Sequence, residues 1–250
     1  MTRLQVYHRP QRLEEALQLL ARDGVNTAVL AGGTQLVAHV DEAVEEVVDL
    51  QAVGLDEIGH DREGRLVLGA MVRLQTIVED ERVPSLVRVL ARREGPNTFR
   101  NQGAAGGALI ALSPESEFVA GLLAYDAAVR VQTPAGEHDM ALADFIADTE
   151  ASLDGGILVA VTLATEGRAA HARVARTPSD YPIVAAVARR DPEGSINLAL
   201  CGVAATPVLV APNNLDELTP PADFRGSSEY RKEMARVLAA RVLAVVENGD

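Results

Sequence analysis

Only one cysteine, Cys201, occurs in the 250 residues of this chain. An internal disulfide is therefore impossible, and so is a cysteine-ligated iron–sulfur cluster, which needs several thiolates. A lone cysteine of this kind reads as a small interior residue. Tryptophan is absent, and four tyrosines and four phenylalanines are too few to build stacking platforms for single-stranded nucleic acid. Positive charge is also in deficit: 23 Lys and Arg stand against 36 Asp and Glu, a formal charge of −13. Phosphate backbones and anionic bilayers would repel such a surface, so no nucleic-acid or membrane partner is expected. No apolar run approaches bilayer length and no signal-type stretch opens the chain, which leads us to expect a cytoplasmic protein.

What is present is an ordinary globular composition, 48% apolar, enough for one large domain or two modest ones. Leu4 to Tyr7 reads as a strand, and Leu13, Ala16, Leu17 and Leu20 recur at helical spacing. Strands are expected at Thr27 to Ala31 and Glu46 to Leu50, which makes residues 1–54 a small α/β lobe. A strand at Leu66 to Gly69 leads to helices near Leu74 to Glu79 and Pro84 to Arg93. Residues 95–117 are rich in Gly, Ala, Ser and Pro without periodicity, and a long, weakly charged loop there would be functional. Beyond it come helix Phe118 to Tyr125, strand Ala128 to Gln132, a helical turn over 141–147 and strand Ile157 to Ala164. Strands at His171 to Ala175, Ile183 to Arg189 and Ile196 to Ala204 precede a helix from Ser228 to Val246. The segment 206–225 has no periodicity and reads as surface.

Two glycine-bearing segments carry the chemical interest. Leu30-Ala31-Gly32-Gly33-Thr34-Gln35-Leu36 ends a strand in paired glycines. Such a turn lets successive backbone N–H groups converge on an anion, and a helix starting after it would add its dipole. Arg100 to Ala108 repeats the pairing at Gly106-Gly107, followed by Ser113-Pro114-Glu115-Ser116-Glu117 with donors and acceptors suited to sugar hydroxyls. Either segment alone could be an ordinary turn; together they suggest a dinucleotide. Neither is a nicotinamide fingerprint or a Walker loop.

No catalytic or metal set is expected. His8, His39, His60, His138 and His171 are dispersed and read as surface or loop residues, and Glu14-Glu15 and Glu45-Glu46 as solvated helix faces. If the chain is part of an enzyme, the chemistry belongs to a bound cofactor.

The order of segments resembles the FAD-binding, medium subunit of the molybdenum hydroxylases, of the xanthine dehydrogenase and carbon monoxide dehydrogenase type. Val6-Tyr7-His8-Arg9-Pro10 with Leu13-Glu14-Glu15-Ala16-Leu17 is similar to the family's opening, and residues 30–36 resemble its first flavin loop. Val48-Asp49-Leu50, Leu55-Asp56-Glu57-Ile58 and Leu68-Gly69-Ala70 follow in the family's order. Arg100-Asn101-Gln102-Gly103, Gly106-Gly107 and Ser113-Pro114-Glu115-Ser116 are similar to the second flavin loop, then Leu122 to Ala127 and Ser228-Glu229-Tyr230-Arg231-Lys232.

The resemblance implies an α+β chain: a two-lobed FAD-binding domain of the type shared with vanillyl-alcohol oxidase, plus a small C-terminal α+β domain. The lobes would span 1–54 and 55–167, and the C-terminal domain 168–250. It implies FAD as cofactor, held by Leu30, Ala31, Gly32, Gly33, Thr34, Gln35 and Leu36 and by Gly103, Ala104, Gly106 and Gly107. Ser116 and Glu117 would lie toward the ribityl or ribose hydroxyls, and Leu158 would pack on the flavin ring. The implied partners are a molybdenum-cofactor large subunit, a 2Fe-2S small subunit and an electron acceptor such as NAD or quinone, with this chain relaying electrons. Where the family usually carries Thr or Ser, Asn or Ser, and Asp, this chain has Ala104, Ala108 and Glu117. Two lost side-chain hydrogen bonds, each worth roughly 0.5–1.5 kcal/mol, open an alternative: a relative that binds flavin weakly and serves as a structural subunit.

Overall fold

The computed structural model describes residues 4–37 and 43–248, so His39 and the start of any helix beyond the first glycine turn lie outside the described residues. The chain opens with β1 (Val6–His8), α1 (Leu13–Leu20), β2 (Thr27–Leu30), β3 (Glu46–Asp49), β4 (Ile58–His60) and β5 (Leu66–Gly69). Helices α2 (Leu74–Glu79), α3 (Ser85–Arg93), α4 (Asn97–Arg100), α5 (Ala105–Ala111) and α6 (Glu117–Ala124) follow. Next come β6 (Ala128–Thr133), β7 (Gly136–Ala141), α7 (Leu142–Ala147), α8 (Thr149–Leu153) and β8 (Ile157–Leu163). Strands β9 (Arg168–Val174), β10 (Val184–Arg190), β11 (Ile196–Cys201) and β12 (Val208–Leu209) lead to the final helix α9 (Ser228–Asn248). Among the described residues no helix is long and apolar enough to cross a membrane.

The elements assort into two compact units, each built from non-consecutive segments. The first takes Met1–Thr76, Asn97–Ala111 and Ala128–Thr162. It contains a parallel sheet in the order β1-β3-β2 and a five-stranded sheet in the order β4-β5-β8-β6-β7. The central strand β3 buries three consecutive residues, Val47, Val48 and Asp49, as a strand covered on both faces should. Helix α1 lays Ala16 and Leu17 onto Val48 and Leu50, which explains its one-sided apolar spacing. In β6, Val129, Val131 and Thr133 are buried while Ala128, Arg130 and Gln132 are not, the alternation of a half-covered sheet.

The second unit takes Ile77–Pro96, Leu112–Ala127 and Leu163–Asp250. Its antiparallel sheet runs β12-β11-β10-β9. Ala235, Leu238, Ala239, Val242 and Val246 of α9 share one helical stripe and pack on Val184, Ala186, Ala188, Leu198 and Leu200. Helix α6 packs against β10 and β11, and all eight of its residues are buried. Six consecutive residues of β10 are buried, because both faces of the strand are covered. Cys201 is buried in this unit, as a lone cysteine is expected to be.

Several local elements differ from those expected of the sequence. Residues 95–117 are not a plain loop but hold α4 and α5; their Gly- and Ala-rich composition gives too little polar contrast to show a helical period. The polar strand β7 and the three-residue β4 were not anticipated, since exposed edge strands carry no apolar alternation. Glu46 lies on strand β3 and not on a helix face, its Oε2 2.7 Å from His8 Nε2 and in contact with Arg22.

Candidate functional site

The first glycine turn starts where β2 ends. Gly33 has φ +73, a conformation that L side chains rarely adopt. Gly32 touches the second glycine segment: a Cβ on it would sit 1.7 Å from the Gln102 carbonyl oxygen. Two segments distant in sequence thus meet backbone to backbone, and only glycine permits it.

The two segments differ in what they can offer a ligand. In the second, Gly103 N–H donates to Phe99 O at 2.7 Å, Ala105 N–H to Val72 O at 2.9 Å and Gly106 N–H to Ala70 O at 2.8 Å. These donors are spent on positioning the segment. In the first, the N–H groups of Gly32, Gly33, Thr34, Gln35 and Leu36 donate to no acceptor among the described residues. Five successive donors without an acceptor among the described residues are the makings of an anion cradle.

The cradle opens into a cavity of about 380 Å³, within the range of small-molecule sites. Ala31, Gly32, Gly33, Thr34, Gln35 and Leu36 line it, together with Ala104, Gly106, Gly107 and Leu158. Leu30 and Gly103 do not; Leu30 lies in the sheet opposite Asp49, and Gly103 is buried, facing Leu74 and Phe99. The rest of the wall, including Val29, Leu50, Ala70, Met71, Ile110, Leu153 and Ile157, was not foreseen, because apolar wall residues look like core residues in a sequence. Gly107 is informative. Nothing lies within 4 Å of the position its Cβ would take, so protein packing does not demand glycine there, and the space in front of it is the cavity.

Ser116 and Glu117 belong to the second unit. Ser116 caps α6, its hydroxyl accepting from Val119 N–H at 3.0 Å and donating to Glu94 Oε1 at 2.9 Å. Glu117 is 2% exposed, with Oε1 2.6 Å from His171 Nε2 and 3.2 Å from Arg173 Nε. His171, read from the sequence as a surface residue, is instead paired on β9 with only a tenth of its side chain exposed. Nothing in the spacing of Glu117 and His171 announces the pair; the strand pairing of β9 creates it.

Glu94 was missed altogether. Burial pushes its carboxyl up to about 7, against the opposing hydrogen bonds from Phe118 N–H and Ser116, with the Glu117 charge adding to the rise. The folded protein therefore holds this proton more tightly than the unfolded chain does. Stability is predicted to fall as pH rises from about 4.5 to about 7, by roughly 3 kcal/mol at 1.36 kcal/mol per pH unit. Glu94→Gln keeps an oxygen for both donors and should remove that fall. Denaturant midpoints of the two proteins at pH 5 and pH 8 check this; parallel pH curves would contradict it.

With this geometry established, similarity to known proteins becomes informative. Residues 2–164 match the family described as the FAD binding domain in molybdopterin dehydrogenase. The chain belongs to this family. FAD is accordingly its cofactor, and the protein is a flavoprotein component of an oxidoreductase. The carbon monoxide dehydrogenase medium chain of Afipia carboxidovorans is 26% identical over 273 residues, 95% of this chain and 94% of that one. The nicotinate dehydrogenase FAD-subunit of Eubacterium barkeri is 32% identical over 143 residues, 54% of this chain and 48% of its own length. Quinoline 2-oxidoreductase from Pseudomonas putida 86 has the same fold, with a TM-score of 0.85 at 24% identity over 100% of this chain and 99% of the compared chain. The α+β architecture expected of the molybdopterin dehydrogenase family is thus the fold of this chain.

Proposed function

We propose that this chain is the FAD-bearing electron-transfer subunit of a molybdenum hydroxylase. It takes electrons from iron–sulfur clusters on a partner and passes them to an external acceptor such as NAD or a quinone. The observation that carries this reading is the first-unit cavity, a cradle of backbone donors opening on an apolar wall with a glycine facing free space.

The residues fit the cofactor. N–H groups of Gly32 to Leu36 would hold the pyrophosphate, and Gly107 would let the ligand come close to backbone. Leu36, Met71, Ile157 and Leu158 would exclude water, with Leu158 packing on a ring. When bound, FAD supplies redox chemistry that no side chain here can supply. No group of His, Cys, Asp or Glu able to hold a metal ion is found among the described residues, and the proposal needs none in this chain. Substrate would be oxidised on a molybdenum-cofactor large subunit, and a 2Fe-2S small subunit would stand between it and this chain. The names of the relatives, a medium chain and a FAD-subunit, support membership of such an assembly.

Co-expression with a molybdenum subunit and a 2Fe-2S subunit encoded beside it tests the assembly. The expected result is one complex in gel filtration, with one FAD for each copy of this chain. A chain that elutes alone with or without flavin contradicts the relay role.

A further inference from the structure

A second cavity, of about 290 Å³, lies in the first unit and shares Gly32 and Ala104 with the cavity described above. Its character is different. Arg9, Arg73, Thr76 and Gln102 line it, and Asp56 is the one acidic residue in the lining. Two arginines in one cavity lining are unexpected in a chain of formal charge −13.

Both arginines are oriented by the fold. Arg73 forms an isolated bridge opposite Ala104, and its Nη1 donates to the Asn101 carbonyl, which ties it to the second glycine segment. Arg9 Nε stands 3.9 Å from Asp49 Oδ2. Asp49 also accepts from Tyr7 Oη and Gln51 N–H, so its charge is shared between two hydrogen-bond donors and the Arg9 guanidinium.

The need for this charge follows from what the glycine segments lack. The N–H groups of Gly103, Ala105 and Gly106 are already spent, and Ala104 and Ala108 offer no side-chain donor. Apart from Ala104 and Gly107, whose N–H groups donate to no backbone acceptor among the described residues, the second segment leaves two negative charges to the neutral N–H groups of the first. A guanidinium gives a charge-assisted, geometrically matched partner for a phosphate.

We infer that Arg73, supported by Arg9, binds the diphosphate of a nucleoside-diphosphate ligand through this polar cavity. Resting on the FAD reading, the inference makes that ligand the ADP half of FAD. Arg73 then takes over the role of the donor missing at position 104. Asp56 works against binding, because its carboxylate lines the same cavity.

The test is calorimetric titration of the flavin-free chain with ADP, with adenosine as the phosphate-free control, and a parallel titration with FAD. The wild-type chain is expected to bind ADP more tightly than adenosine, with an affinity that falls as salt rises. Arg73→Gln should weaken ADP and FAD by roughly ten-fold or more and leave adenosine unchanged. Arg73→Lys should recover part of the loss, and Asp56→Asn should tighten ADP. Equal ADP and FAD binding by Arg73→Gln and wild type would overturn the inference while leaving the FAD reading intact. A parallel loss of adenosine would also overturn it, by showing a displaced loop and not a missing charge. Binding of ADP through Arg73 without any binding of FAD would keep the diphosphate site and sink the FAD reading. Binding of neither would overturn both.

Discussion

Replacing Gly107 with leucine is expected to strip the protein of flavin while leaving the fold intact. The added side chain would project into the cavity of about 380 Å³, where no protein atom lies within 4 Å of its Cβ. Its Cβ therefore meets no clash in the apoprotein. Gly107 lies within α5, and replacing a helical glycine typically stabilises by about 0.5–1 kcal/mol. The bound ligand must share that space, and overfilling a packed site costs about 1–3 kcal/mol, or roughly 10–100-fold in affinity. Flavin absorbance after gel filtration and thermal melting of the apoprotein read the two effects separately. A Gly107→Leu protein that keeps a full complement of FAD would show that the cofactor lies elsewhere.

Gly32→Ala should act on the fold as well as on the ligand. Its methyl would lie 1.7 Å from the Gln102 carbonyl oxygen and 2.5 Å from the carbonyl carbon. Those atoms are backbone, so no rotamer relieves the clash and the two glycine segments must part. A loss of about 3 kcal/mol is expected, lowering the melting temperature by roughly 6–12 °C for a chain of this size. Flavin should be lost as well, because the cradle depends on the same contact. The two glycines thus separate a ligand constraint from a folding constraint. A Gly32→Ala protein as stable as wild type would mean that the two segments do not touch in solution.

The sequence made part of this legible. Helix α1 and strand β6 carry strong periodicity, and their one-sided burial follows directly from it. The glycine pairs were visible because glycine is chosen for backbone reasons that a single residue can reveal. Their mutual contact was not, since it depends on how β2 and the segment before α5 are brought together. The helices α4 and α5 were hidden by small residues that give no polar contrast, and β7 by being polar throughout. The spent donors of Gly103, Ala105 and Gly106 could not have been foreseen either, because their acceptors at Phe99, Val72 and Ala70 are set by tertiary structure. The same holds for Glu117, whose partners His171 and Arg173 come from a strand far along the chain. The interleaving of segments in the two compact units leaves no local mark.

The most direct test of the account is the visible spectrum of the purified chain after incubation with FAD and removal of free cofactor. The account predicts a flavin spectrum at one FAD per chain, retained by wild type and lost in Gly107→Leu. A colourless wild-type protein would contradict it.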